Sequence, residues 1–172
     1  MPRTGLAMLA TATALLAAAP AWAQSEMELY TAGANELQAA QREVIQRNID
    51  MATAALQAKD YAKARKYAQP VTRGDPKRVE AWLMLGAAQS GLQDWKRARL
   101  AYATALRLSP NHPEARAGMG IAMANTNDPA AQQQLAWLAA RLEACGGCGQ
   151  AAQLNRFKGD VETAIAEASK GS

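Results

Sequence analysis

One stretch of the sequence, residues 79–110, constrains the fold more than any other. Its apolar residues recur at helical spacing on both sides of a short polar break, Gly91–Asp94. This pattern predicts two antiparallel helices joined by a tight turn. Because Gly86 and Ala98 are small, we expect the two helices to approach closely there, and Pro110 to end the second helix. The larger side chains expected around that contact are Trp82, Leu85 and Tyr102.

The same stretch resembles the tetratricopeptide repeat, a helix–turn–helix unit of about 34 residues. The residues that carry the resemblance are Trp82, Leu85, Gly86, Ala98, Tyr102, Ala105 and Pro110. Gln89 departs from the pattern, because the family usually has Tyr there, and we expect looser packing inside the first helix. The resemblance implies an all-α stack of helical hairpins that holds other proteins on a concave surface.

A second, more degenerate copy lies one repeat length upstream. The turn sequence KDYAKA at residues 59–64 matches QDWKRA at residues 93–98, so Asp60 is predicted to cap a helix as Asp94 does. The two helices of this copy are predicted at about Ile45–Ala58 and Tyr61–Val71.

A third copy lies one repeat length downstream. Met119-Gly120 repeats Leu85-Gly86, and Pro113 suits the start of a helix with the lone His112 near its cap. Asp128-Pro129 is predicted to open the next helix. The three hairpins together span residues 45–143, and three such units are about the number that a stable stack needs.

Residues 1–23 have the features of a secretory signal peptide. Arg3 supplies a positive start, residues 6–19 an apolar stretch, and Ala21-Trp22-Ala23 a small-x-small cleavage site. The alternative is an uncleaved anchor, although the apolar run is shorter than a membrane span. We expect cleavage after Ala23 and a periplasmic mature chain that is not an integral membrane protein.

Between the signal and the hairpins, residues 24–44 are expected to hold a leader and the start of a helix. The polar stretch 24–34, which contains Gly33, is predicted to be loose, and the helical pattern begins at Asn35. The sequence leaves open whether one long helix or two follow.

Cys145 and Cys148 enclose two glycines and have three possible roles. In an exported protein the expected role is a disulfide that staples a turn. A redox pair is an alternative, although enzymes that use this spacing place it in a βαβ context that this chain lacks. Metal binding is a third, in which a partner would have to complete the site. A redox or metal-handling protein is therefore the alternative function.

The C-terminal segment, residues 144–172, contains an amphipathic pattern after the cysteines, with a possible break at Gly159. We expect it to cap the third hairpin, and a second possibility is that it folds into the groove.

The first helix of each hairpin is expected, from the family resemblance, to line the partner-binding groove. An apolar to mildly acidic groove of this kind suits a peptide or helix of a protein partner in the cell envelope, and the alternative is that its apolar members are core. The predicted lining residues are Ile49, Thr53, Glu80, Leu83, Met84, Ala87, Glu114, Ala117 and Ile121.

Other classes of function find little support in the sequence. There is no phosphate loop, nucleophile elbow or zinc-protease motif, and a single His cannot form an ordinary triad. We expect no catalytic residue, no cofactor and no resident metal. The net charge is +4, but the basic residues are scattered, so the densest group, Lys96 to Arg99, is interpreted as a solvated helix face rather than a nucleic-acid surface. The predicted function is an exported adaptor or scaffold.

Overall fold

The computed structural model describes the backbone of residues 21–170 and the side chains of residues 26–170. Over that range the chain forms seven α-helices and no strand, which confirms the all-α prediction. The helices are α1 (Ala21–Gln57), α2 (Tyr61–Gly74), α3 (Val79–Gly91), α4 (Trp95–Leu108), α5 (Pro113–Ala124), α6 (Ala131–Cys145) and α7 (Ala151–Lys170). No helix in the described range has the length and apolarity needed to cross a bilayer.

The chain divides into two units, Met1–Gln41 and Arg42–Ser172. In the first unit the described part is the beginning of α1, and its described side chains are all exposed. This corrects the prediction of a loose leader at residues 24–34 and shows one long helix instead of two. Strong helix formers, mainly Glu, Leu and Ala, outnumber Gly33, whose cost in a helix is only about 1 kcal/mol. The predicted signal peptide lies mostly outside the described residues.

In the second unit the three hairpin turns share one backbone geometry. Lys59, Gln93 and Asn127 adopt the left-handed conformation with φ of 56, 57 and 53°, and they occupy the same position in successive repeats. The residue after each donates its backbone N–H over 2.9 Å to a carbonyl five residues back: Asp60 to Ala55, Asp94 to Gln89 and Asp128 to Met123. This helix ending satisfies carbonyls that would otherwise lack partners. The backbone conformation and hydrogen bonding of the turn therefore repeat with the period of the hairpins.

The helix caps follow the prediction in two hairpins and depart from it in the third. The Asp60 carboxylate accepts from the backbone N–H of Lys63, and Asp94 accepts from that of Arg97. In the third hairpin, α6 begins at Ala131, later than predicted at Asp128-Pro129. Asp128 instead accepts from the N–H of Ala130 and forms an ion pair of 2.8 Å with Arg99 of α4. It thus ties the third turn to the second hairpin.

The core runs along the stack as a series of clusters between neighbouring helices. Between α1, α2 and α3 the buried members include Ile49, Val71 and Met84. Between α3, α4 and α5 they include Leu83, Tyr102 and Met119. Between α5, α6 and α7 they are Ala117, Leu138, Leu154 and Val161.

Tyr102 of α4 determines how closely α3 and α5 approach it. A Cβ added to Gly86 of α3 would lie 2.7 Å from the Tyr102 ring, and one added to Gly118 of α5 would also overlap it. The two glycines therefore leave room for one aromatic ring. The atoms nearest to a Cβ on Gly86 all belong to Tyr102, and the expected contact of Gly86 with Ala98 stays a prediction.

Gln89 of α3 is buried in the core. Its side-chain oxygen has no hydrogen-bond partner within the described range. An open surface pocket of about 160 Å³ lies beside it, lined in part by Trp82 and Leu100. The looser packing expected from the missing Tyr stays a prediction.

The C-terminal helix α7 caps the third hairpin, as predicted. It runs through Gly159 without the break that the sequence allowed, because that glycine faces open space and its cost is only about 1 kcal/mol. The helix packs on α5 and α6, and a Cβ on Gly120 of α5 would lie 3.0 Å from Val161. The stack therefore ends in a covered face.

Candidate functional site

The nine predicted groove residues fall into three classes of exposure. Their role in binding stays a prediction, but their burial divides them clearly. Thr53, Glu80 and Glu114 are exposed; Ala87 and Ile121 are half-buried; Ile49, Leu83, Met84 and Ala117 are buried.

The buried members on α3 belong to the core. Leu83 is only 7% exposed and packs in the cluster that contains Tyr102 and Met119. Met84 packs with Ile49, and its sulfur accepts a hydrogen bond of 3.6 Å from the hydroxyl of Thr53. Thr53 and Met84 are therefore brought together as predicted, but Leu83 and Met84 offer a ligand little surface. Core packing is the alternative role expected for the apolar groove residues. The burial of Leu83 and Met84 agrees with that alternative.

Two of the three predicted groove residues of the third hairpin, Ala117 and Ile121, are covered by α7. Ala117 belongs to the cluster with Leu154 and Val161 of α7, and Ile121 packs against the same cluster. Among the described helices, α7 contacts α5 and α6 but not α3. The C-terminal helix therefore takes over the apolar part of the groove at the third hairpin and leaves α3 uncovered by it.

What remains exposed on this face is acidic and polar. Glu80 on α3 and Glu114 on α5 occupy the same position in adjacent repeats, and both are exposed. Neither has an ion-pair partner within the described range. Asp50 and Thr53 of α1 are exposed as well, and Asp50 accepts a bond of 2.9 Å from Gln46. The accessible face is therefore more acidic and less apolar than the sequence indicated.

Tyr102 marks a position that sequence reasoning assigned only to packing. The pKa of Tyr102 is raised from 10.0 to about 12, chiefly by burial, while the Ser90 side chain lowers it and the negative charge of Glu114 raises it by a smaller amount. The repeat spacing predicts that α3 and α5 flank Tyr102, but it does not indicate where the hydroxyl points.

A polar cleft of about 280 Å³ lies next to Glu114. It is formed by the start of α5 and the first turns of α7, with His112, Pro113, Gln150, Gln153, Leu154 and Phe157 as the other lining residues. One carboxylate, two amides and an aromatic ring offer acceptors and a π face suited to a cationic side chain. The sequence did not suggest this cleft, because it depends on where α7 packs.

His112 occupies the predicted cap position of α5, but its side chain does not cap the helix. The residue is extended, with φ −80° and ψ 112°, and its ring makes no capping hydrogen bond. Its Nδ1 atom is buried and has no partner within the described range. The imidazole therefore contributes a polar atom near the cleft instead of closing the helix end.

Cys145 and Cys148 form a disulfide at the end of α6, as the preferred interpretation predicted. Gly146 and Gly147 between them have φ of 54 and 88°, which glycine adopts without the steric cost of a Cβ. No group of three or more His, Cys, Asp or Glu side chains within the described range is arranged to hold a metal ion. The redox or metal-handling alternative is therefore not favoured.

Comparison with known proteins identifies the same repeat that the sequence pattern indicated. The family model of the tetratricopeptide repeat matches residues 79–112, which are α3, α4 and the turns around them. Residues 79–112 are a tetratricopeptide repeat. No curated protein matches the sequence.

Solved structures extend the likeness to the tetratricopeptide-repeat fold as a whole. The Yersinia enterocolitica type III secretion translocator chaperone SycD, in an alternative dimer, is 16% identical with a TM-score of 0.60, covering 73% of this chain and 94% of SycD. The TPR2B domain of yeast Sti1, in complex with pHsp70, is 14% identical with a TM-score of 0.57, covering 70% of this chain and 98% of that one. At these identities the likeness establishes the stack of tetratricopeptide hairpins and nothing finer.

Proposed function

We propose that the chain is an exported adaptor that holds a protein partner in the bacterial periplasm. Its tetratricopeptide stack would bind an amphipathic segment with basic residues along the exposed face of α1, α3 and the start of α5. The observation that carries this proposal is the pair of exposed carboxylates, Glu80 and Glu114, at equivalent positions of adjacent hairpins without ion-pair partners in the described range.

The charge on this face decides the class of ligand. Unpaired carboxylates on a shallow surface attract a cationic segment and repel an acidic one, so an acidic peptide tail is a poor ligand. The cleft beside Glu114 gives one basic side chain a place to insert, with Phe157 available to stack. Ala87, two turns along α3 from Glu80, is half-buried and adds a small apolar contact, which suits an amphipathic partner.

The structural neighbours support a protein ligand without identifying it. The Sti1 domain is in complex with pHsp70, and SycD is a translocator chaperone. Both of these proteins engage another polypeptide. We extend that class of activity to this chain because it shares their fold and has an exposed charged face.

The binding experiment compares charge reversals at matched sites. Immobilised mature chain is incubated with an envelope extract, and retained polypeptides are quantified for the native chain and for the double variant Glu80→Lys/Glu114→Lys. We expect at least a tenfold loss of a discrete partner in the double variant. Glu143→Lys on α6 is the control, because Glu143 is an exposed carboxylate away from the proposed face.

Retention of the same partner by the folded double variant would contradict the proposed face. Changing Leu83 to Arg is a poor test, because that residue is buried and the variant would unfold. Export is checked separately by osmotic-shock fractionation and N-terminal sequencing. We expect a periplasmic chain that begins at Gln24, and a cytoplasmic chain that begins at Met1 would refute export.

A further inference from the structure

The second helices of the first two hairpins, α2 and α4, are strongly basic. Each contains four Lys or Arg residues, and neither contains Asp or Glu. The second helix of the third hairpin, α6, differs, because its one basic residue, Arg141, is balanced by Glu143. The excess of positive charge is therefore concentrated on two neighbouring repeats of the stack.

Most of these basic side chains are exposed and lie on one side of their helix. On α2, Lys63, Lys66 and Arg73 fall within one narrow arc at the helical period. On α4, Arg97 and Arg107 occupy the same repeat positions as Lys63 and Arg73, so the two helices present matching charges. We call the exposed basic side chains of α2 and α4 the basic face: Lys63, Lys66, Arg73, Lys96, Arg97 and Arg107.

The charge of the basic face is largely unneutralised. Within the described range, the one ion pair it makes joins Arg97 to Asp94 over 3.0 Å. Because the Arg97 side chain is 66% exposed, that pair contributes little. In the turn after α2, Asp75 is paired with Arg78, which does not belong to the face. The basic face is therefore suited to an anionic ligand.

An open pocket of about 160 Å³ adjoins the basic face, and we call it the α4 pocket. Arg97, Leu100 and Thr104 of α4 contribute to its lining, as do Trp82 and Leu85 of α3. Leu100 is 69% exposed, although it takes the repeat position that Lys66 has on α2. A mainly apolar recess thus lies next to exposed positive charge.

Trp82 connects the α4 pocket with the basic end of α2. Its indole N–H donates a hydrogen bond of 2.9 Å to the carbonyl of Pro76, in the turn that follows α2. Arg73 lies three residues before Pro76, and the exposed Lys77 comes directly after it. Basic residues of both hairpins therefore belong to the surroundings of one apolar recess.

The size and lining of the α4 pocket distinguish among anionic ligands. Small-molecule sites usually measure roughly 300–1,000 Å³, so a pocket of about 160 Å³ suits one inserted side chain. A bilayer surface would leave such a recess empty. Single-stranded nucleic acid binds by stacking on accessible aromatic rings, and no aromatic side chain of α2 or α4 is fully exposed. An acidic polypeptide with an apolar side chain fits both features.

We propose that the basic face and the α4 pocket bind an acidic polypeptide segment of a partner protein. One apolar side chain of that segment contacts Leu85 and Leu100 in the pocket, and its carboxylates lie along the basic face. This surface includes neither Glu80 nor Glu114. It goes beyond the proposed function, because it gives the chain a second ligand of opposite charge.

The first experiment measures peptide binding by fluorescence anisotropy. The probes are a labelled synthetic peptide with one Leu flanked by Glu residues, its Leu→Ala analogue, and an analogue with Lys in place of every Glu. We expect the Kd for the acidic Leu peptide to be about tenfold lower than for its Ala analogue, since burial of a Leu side chain is lost. Binding of the acidic peptides should weaken at high salt.

The second experiment locates the acidic peptide on the chain. We expect Lys66→Glu/Arg107→Glu to raise the Kd for the acidic Leu peptide at least tenfold. Arg141→Glu is the matched control, because Arg141 is exposed one repeat length after Arg107 on α6, outside the basic face. It should bind as the native chain does, and so should Glu80→Lys/Glu114→Lys, which alters only the face of the proposed function.

The contribution of the pocket is tested by truncation. Leu100→Ala should weaken binding of the acidic Leu peptide several-fold and leave the Ala analogue unaffected. Leu108→Ala is its control, because Leu108 is 38% exposed on the same helix but does not line the α4 pocket. Circular dichroism confirms that each variant is folded, and Lys66→Glu/Arg73→Glu replaces the double reversal if that variant is not.

Three results would overturn the proposal. The first is a native chain without affinity for the acidic Leu peptide, whether or not phosphatidylglycerol vesicles or a single-stranded oligonucleotide bind instead. The second is equal binding of the Leu peptide and its Ala analogue, which would remove the pocket. The third is an equal loss in the Lys66→Glu/Arg107→Glu and Arg141→Glu variants, which would show a response to net charge rather than to this face.

Discussion

The two ends of the hairpin stack are finished in different ways. At the C-terminal end, α7 buries Leu154 and Val161 against α5 and α6, and no large apolar side chain of that cluster is left exposed. At the N-terminal end, the outward side of α1 in the second unit leaves Val44 and Met51 exposed. A terminal repeat needs a polar or covered outer face to stay soluble. Within the described residues, the chain supplies such a cover only at the C-terminal end.

The largest expected contrast between the ends comes from the same truncation at each. Leu154→Ala removes a side chain that is 2% exposed and leaves a cavity under α7, so we expect a loss of about 2–4 kcal/mol in the free energy of unfolding. Leu37→Ala in the first unit should change it by less than about 0.5 kcal/mol. Urea denaturation of dilute samples measures both, and equal losses would contradict the contrast.

The ionisation of Tyr102 tests the packing of α3, α4 and α5, the part of the stack next to the end that α7 covers. The residue one repeat earlier is Ala68, so no phenol takes this place in the first hairpin. The pKa of Tyr102 is raised from 10.0 to about 12 in the folded chain. The phenol of the unfolded chain therefore loses its proton first, and stability should fall as the pH rises from 10 to 12. The full shift corresponds to about 2–3 kcal/mol.

Tyr102→Phe is the reference for this prediction. It retains the ring between Gly86 and Gly118 but removes the ionisable hydroxyl. We expect the native chain to lose more stability than the variant between pH 10 and 12, measured by urea denaturation at each pH. Parallel curves for the two proteins would show that the phenol does not have the raised pKa.

Much of the fold was predictable from the sequence because it depends on local features that recur with the period of the repeat. Asp60 and Asp94 cap helices in equivalent turns, and both caps were confirmed. The end of α3 and the start of α5 also follow from turn residues and Pro113. A short repeat is readable because each turn is specified by residues close in sequence.

The candidate site was less predictable because helical periodicity cannot separate a groove residue from a core residue one position away. Leu83 and Met84 match the expected groove positions, yet both are buried. Ala117 is buried because α7 packs against it. The position at which α7 packs is set by tertiary contacts, which a local sequence pattern does not predict. Of the nine predicted residues, only Thr53, Glu80 and Glu114 are fully exposed.

Alanine substitutions at two helix glycines near the end covered by α7 should change the stability by smaller amounts and in opposite directions. Gly118→Ala forces a methyl group into the Tyr102 ring, and overpacking of this kind costs about 1–3 kcal/mol. Gly159→Ala on α7 meets nothing within 4 Å, so the gain in helix propensity should stabilise the chain by up to about 1 kcal/mol. Thermal unfolding followed by circular dichroism should show opposite signs. A stabilising Gly118→Ala would contradict the tight approach of α5 to Tyr102.

The smallest expected effect compares the first and third hairpin turns. Lys59 is left-handed with φ 56°, a conformation that is strained for a side chain of this kind, so Lys59→Gly should gain about 0.5–1 kcal/mol. Asn127 has φ 53°, but Asn tolerates this region better, so Asn127→Gly should gain less. Lys59→Ala is the control, since it removes the charge and retains the Cβ. If Lys59→Ala gained as much as Lys59→Gly, loss of charge would explain the effect and backbone strain would not. A larger gain at Asn127 would instead mean that the turn beside Asp128, which is tied to Arg99, is the more strained of the two.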